Sequence, residues 1–138
     1  MSYNLYGANQ DWASIRTTIA DANADIVALQ ELNREIAARL QNELAAAYPY
    51  QIVASQDGLI SLYPIQPRPE TFPDSWGSPP QIYEIQLEQH PITLLNAHFY
   101  ASLPSSDIDF MNWVFRERAH QAKLVAAFAK AEKRPLLI

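Results

Sequence analysis

The nine residues Ala24-Asp25-Ile26-Val27-Ala28-Leu29-Gln30-Glu31-Leu32 constrain this chain most, because a short apolar run ends abruptly in an amide and a carboxylate. Ile26 to Leu29 reads as a strand buried on both faces, a pattern that belongs to the covered sheets of α/β folds. Glu31 then falls at the C-terminal end of that strand, where ligands of open α/β sheets gather. A lone acid there is a candidate for metal binding or catalysis; its plain alternative is a solvated loop acid.

Around this strand the pattern switches between helical and extended periods. Tyr3 to Leu5 reads as a short strand, and Trp12, Ile15, Ile19 and Ala22 recur at helical spacing. They predict a helix from Asp11, which can cap it, to Asn23. A second helix carries Ile36, Leu40, Leu44 and Ala47 on one face and is stopped by Tyr48-Pro49, since proline disfavours helical geometry in the residue before it. Strands from Tyr50 to Ala54 and Leu59 to Tyr63 flank a hairpin turn, Ser55-Gln56-Asp57-Gly58.

From Pro64 to Pro80, prolines, glycine and polar residues describe a long loop that carries Phe72 and Trp76. Alternation returns in Ile82 to Leu87, an antiparallel strand with one wet face. Glu88 to His90 makes a turn, and Ile92 to Ala97 is more apolar and so more central. A further loop, Tyr100 to Asn112, leads into a long helix on which Phe115, Ala119, Ala122, Ala126 and Ala129 share a face. Arg134 to Ile138 begins another buried strand and stops without a turn or cap, so the expectation is a segment of a larger domain.

A chain of 138 residues is one domain's worth, and no apolar stretch approaches the roughly 20 residues that cross a bilayer. Met1-Ser2 leads straight into Tyr3 without a basic and apolar leader. The expectation is a soluble protein, the cytoplasm slightly favoured, with an upstream signal or anchor left open. Absence of cysteine excludes disulfides and thiolate chemistry. A formal charge of −5 argues against a sequence-independent grip on DNA, which needs a basic face to neutralise phosphates. Arg116, Arg118, Lys123, Lys130, Lys133 and Arg134 cluster late and read as the solvated face of a helix.

Asp25 to Glu31, an aspartate, two aliphatics, a small residue, Leu, Gln and Glu before a helix, resembles a strand of the endonuclease/exonuclease/phosphatase superfamily, the deoxyribonuclease I-like metal-dependent phosphoesterases. Three further stretches resemble that family in the order it requires: Tyr3-Asn4-Leu5, Gly58 to Ile65, and Leu94-Leu95-Asn96-Ala97-His98-Phe99. Arg118-Ala119-His120-Gln121 then resembles its Arg-x-x-Gln on the following helix. Leu62 departs from the pattern, standing where the family commonly has Arg, which implies one fewer attractive charge for an anionic substrate. The family's next Gly-Asp-x-Asn motif and the half carrying a later His do not occur in this chain.

The resemblance implies the N-terminal half of a deoxyribonuclease I-like α/β sandwich, a mixed sheet flanked by helices. It implies a phosphate-ester hydrolase that uses Mg2+ or Mn2+, with Glu31 on the metal. Such hydrolysis needs a hard cation because charge builds on the phosphoryl and leaving oxygens. Asn4, with two donors and an acceptor, is expected at the phosphate or the attacking water, and His98 at a phosphoryl oxygen. Asn9, Tyr63 and Tyr100 are weaker substrate-binding candidates, and Arg118 and Gln121, one turn apart, are expected to support or pack. The acid that activates water is expected outside this chain, leaving the isolated chain inactive. Two other expectations stand beside this one: a non-catalytic module binding a partner or small ligand through the Pro64 to Pro80 loop, and dimerisation through exposed sheet edges.

Overall fold

The computed structural model describes residues 1–54, 56–70, 72, 79–88, 90–100 and 106–138. Trp76, with residues 71, 73–75, 77 and 78 of the expected loop, lies outside the described residues. The element order is β1 (Ser2–Asn4), α1 (Trp12–Ala22), β2 (Ile26–Gln30), α2 (Arg34–Glu43), β3 (Tyr50–Val53), β4 (Asp57–Ser61), β5 (Ile65–Pro67), β6 (Gln81–Leu87), β7 (His90–Asn96), α3 (Ile108–Ala131) and β8 (Leu136–Leu137).

The strands form two four-stranded sheets, β1-β2-β4-β3 and β5-β6-β7-β8. Both are mixed: β1 runs parallel to β2 and β8 parallel to β7, while the remaining pairs are antiparallel. Each sheet buries both faces, and this gives four layers. Val27, Leu29 and Ile60 pack under α1 and α2 with Ile15, Ile19, Ile36 and Leu40. Between the sheets lie Ala28, Leu59, Tyr83, Ile85, Ile92 and Leu94. On the far side, Ile82 and Leu95 are covered by Leu124, Val125 and Phe128 of α3.

Local chemistry explains the helix ends. Asp11 caps α1 by accepting from the Ser14 N–H, and Asn23 closes it in the left-handed region. Trp12 and Ile15 face the core as the period requires, but Ala22 is exposed, because the last turn of α1 runs past the sheet. Asn33 caps α2 through the Ile36 N–H. That helix stops at Glu43, ahead of the proline: Leu44 to Tyr48 forms a turn that tucks the Tyr48 ring into the core, its hydroxyl donating to Ala24 O at 2.9 Å. Ala47 is thereby exposed rather than on the buried face.

Five further expectations are corrected. The hairpin turn lies one step earlier, with Ala54 N–H donating to Asp57 O, and Asp57 and Gly58 already belong to β4. A Cβ on Gly58 would come within 2.9 Å of Leu32 Cδ1, so a larger residue there has to push that buried side chain aside. The Pro64 loop contains a short strand, β5, in which Pro67 lies level with Tyr83 and the next N–H, that of Arg68, donates to Ile82 O at 2.8 Å. The outer face of β6 is wet only in part: Ile82 is covered by α3, while Glu84, paired with Arg134 at 2.6 Å, and Gln86 are half-buried. The loop after Tyr100 is shorter than expected, because Asp107 caps α3 from Ile108 onward by accepting from Asp109 and Phe110 N–H. On α3 the inward stripe is Val114, Gln121, Leu124, Val125 and Phe128, whereas Phe115, Ala119, Ala122 and Ala126 face outward. Alanines bury little area, so the larger side chains decide which face docks.

Candidate active site

One rim of the sandwich carries the C-terminal ends of β1, β2 and β7. Asn4 is level with Gln30 across the parallel β1–β2 pair, so Glu31 follows immediately above Asn4. Gln30 Nε2 donates to Asn96 Oδ1 at 2.6 Å across the gap between sheets, which brings the end of β7 to the same rim. His98 lies two residues beyond Asn96.

The three side chains converge on one oxygen. Asn4 Nδ2 donates to Glu31 Oε1 at 2.8 Å, and His98 Nε2 stands 3.2 Å from that oxygen and 3.4 Å from Asn4 Nδ2. In its Nε2–H form the ring donates to the carboxylate. Gly7 N–H donates to Glu31 Oε2 at 3.2 Å, and Tyr6 N–H fixes Asn4 by donating to its Oδ1 at 2.9 Å. The Asn4 amide foremost, opposed by burial and aided by Gly7 N–H and the charge of His98, holds the Glu31 carboxyl below its ordinary value. A small cavity opens here, lined by Gly7, Glu31, Leu32, Gln56 and His98.

The backbone is strained at the same place. Glu31 has φ 55° and Tyr6 φ 57°, both in the left-handed region that costs a residue with a Cβ about 1–2 kcal/mol. Asn33 braces the loop between them, its Nδ2 donating to Gly7 O at 3.2 Å and Asn9 O at 2.9 Å.

The other candidates divide. Gln121 is buried on α3, and its Oε1 accepts from Tyr100 N–H at 3.2 Å, so it holds the segment that follows His98. Arg118 is half-buried one turn earlier. Tyr100 packs its ring on Trp113, with centroids 5.2 Å apart, and Trp113 continues to Phe110. Asn9 spends its Oδ1 on Asp11 N–H at 2.9 Å, a local turn contact. Tyr63 is not part of this group. It follows Ser61, which pairs with Ile26, at the far end of β2 from Gln30. Those ends are about 13 Å apart at the usual strand rise. Leu62, whose N–H donates to Asp25 O, lies at that far end too, away from the rim. The sequence alone assigns no role to Gln30, Asn33, Gln56 or Asn96; a lone amide at an inward position of an apolar strand is the signal that marks Gln30 and Asn96.

Among the described residues no group of three or more His, Cys, Asp or Glu could hold a metal by protein ligands alone, and no helix is long and apolar enough to cross a membrane. No family model and no curated protein sequence matches the chain. Solved structures do. A D. rerio TDP2 complexed with a single-strand DNA product aligns over 98% of this chain and 55% of its own, with TM-score 0.71 and 15% identity. A beta toxin from Staphylococcus aureus aligns over 97% and 61%, with TM-score 0.66 and 16% identity. Sphingomyelinase C from Streptomyces griseocarneus aligns over 97% and 59%, with TM-score 0.60 and 17% identity. The chain thus spans a little over half the length of these structures, and what it shares with them, four layers around a mixed pair of sheets, is part of the deoxyribonuclease I-like fold.

Proposed function

We propose that this chain is part of a divalent-metal-dependent phosphoesterase whose site is built on Glu31, Asn4 and His98. The observation that supports this most is the meeting of the three side chains on Glu31 Oε1, from strand ends of two different sheets, beside a strained backbone. The donor set fits a hard cation. Magnesium is commonly held through one or two carboxylates with water completing its shell. Glu31 Oε2 receives one N–H among the described contacts and keeps a second lone-pair site. When bound, magnesium or manganese supplies Lewis acidity at a phosphoryl oxygen.

The chain's own groups do the rest. Asn4, fixed by Tyr6 N–H, orients a phosphate oxygen or the attacking water. His98 donates to a phosphoryl oxygen and stabilises the charge that develops there. Tyr100 and Trp113 border the His98 segment and offer an aromatic surface to the remainder of the ester. The acid that activates water lies outside this chain in this reading, so the chain alone turns over no phosphodiester. Its −5 charge disfavours bulk nucleic acid as substrate.

Thermal unfolding with and without millimolar MnCl2 tests the metal assignment. The expected result is a rise in Tm for the wild type that Glu31→Gln abolishes, because only the folded state holds the ion. An equal rise in both proteins overturns it.

A further inference from the structure

The layer between the sheets is built of Ala28, Leu59, Ile85, Ile92 and Leu94 with the Tyr83 ring. At the rim beneath the site this composition changes. Gln30 of β2 and Asn96 of β7, each at the inward position that follows Ala28 or Leu94 by two, are 6% and 3% exposed. Gln30 Nε2 donates to Asn96 Oδ1 at 2.6 Å and to Ser2 Oγ at 3.2 Å. Asn96 Nδ2 donates to Leu29 O at 3.0 Å and contacts Gly58 O at 3.4 Å. Asn96 is therefore anchored on two strands of the opposite sheet as well as on the Gln30 side chain.

Apolar contacts are non-directional, so they tolerate a slide of one sheet over the other. Hydrogen bonds are not, because they weaken steeply with angle and distance, and inside a protein they are stronger than in water. The position of this pair gives that difference a consequence. Glu31 is the residue after Gln30, and His98 is two after Asn96, so Asn4 and Glu31 stand at the ends of strands of one sheet and His98 just past the end of a strand of the other. A slide at the pair therefore shifts Glu31 relative to His98.

We propose that the Gln30–Asn96 pair is a positioning device that holds His98, just past the end of β7, against Asn4 and Glu31 at the ends of β1 and β2. Gln30 and Asn96 touch no reacting atom. They act through the residues beside them, as groups that hold metal ligands and bases in place do in other sites. The inference rests on the reading of Asn4, Glu31 and His98 as one site, and it is independent of whether that site holds a metal.

The test is a nuclear Overhauser measurement on the 138-residue chain without added metal, between the Asn4 side-chain NH2 and the His98 ring protons. Gln30→Met keeps the volume and removes the donor; Asn96→Leu removes the anchors. Ile85→Val loosens the same layer away from the rim and serves as comparison. The expected result is a cross-peak in the wild type and in Ile85→Val that falls severalfold in the two rim variants, with amide dispersion unchanged. Should Asn96→Leu fail to fold, Gln30→Met carries the test. Unchanged intensity in folded Gln30→Met overturns the inference, and so does a wild-type chain without the cross-peak. Failure of the metal assignment is read separately, from the manganese response of Glu31→Gln, and leaves the Overhauser outcome standing.

Discussion

Asn4 Nδ2 lies 3.4 Å from His98 Nε2, although they are 94 positions apart and one ends a strand of the first sheet while the other follows a strand of the second. Glu31 sits between them, its Oε1 within 3.2 Å of both nitrogens. The site is thus a product of sheet-on-sheet packing rather than of one loop. A rigid platform suits groups that must keep their separation while charge develops on a bound phosphate.

The left-handed backbone at Glu31 has a measurable cost. Glu31→Gly removes the steric clash of a Cβ, whereas Glu31→Ala keeps it, and both lose the same carboxylate. Urea unfolding is expected to show the glycine variant more stable than the alanine variant by about 1 kcal/mol. Equal stabilities, or a more stable alanine, contradict strain at this position.

On the α3 side of β7, at its middle residue Thr93, an ion network ties the end of β5 to the end of α3. Arg68 donates to Glu70, to Glu132 and to Thr93 Oγ1. The Arg134 backbone N–H foremost, with Arg68 and the Lys133 N–H and against burial, holds the Glu132 carboxyl down to about 2. A lowered folded value means that Glu132 contributes stability above its ordinary 4.5 and loses that contribution as pH falls toward about 2. Glu132→Gln is expected to lower Tm at neutral pH, with the gap to wild type closing across this window. A gap that stays constant down to pH 2 contradicts the assignment.

The two faces of α3 differ in what a truncation costs. Val114 is 1% exposed and Phe115 is 57% exposed. Val114→Ala is expected to cost about 2 kcal/mol, from two lost methyl groups and the cavity they leave. Phe115→Ala, which removes far more atoms, is expected to stay within about 0.5 kcal/mol of wild type. Chemical denaturation of both variants decides it, and the reverse ranking contradicts the packing of this helix.

The helical half of the fold was legible because its signals are redundant. In α1, the cap at Asp11 and the Trp12, Ile15, Ile19 stripe agree, and β2 is an unbroken apolar run. Around α3 the signals conflict. Four alanines and Phe115 make an apolar stripe as regular as the true one, and only the volume of Val125 and Phe128 decides between them. Strand β5 was hidden because a three-residue strand between prolines has no period to detect. Tyr63 was misplaced for a different reason: its motif names a strand but not its direction, and antiparallel pairing carries that residue to the far rim. Gln30 and Asn96 were each visible as the polar end of an apolar run, yet that they meet is a property of sheet packing, which no local pattern contains.

The most direct test of the site is a titration of the isotope-labelled chain with MnCl2, followed through paramagnetic broadening of side-chain resonances. The account predicts that the Glu31 carboxyl, the Asn4 amide and the His98 ring broaden together and first, and that Glu31→Gln abolishes the effect. Broadening that begins elsewhere, at Glu70 or Glu84 for instance, or that persists in Glu31→Gln, would contradict it.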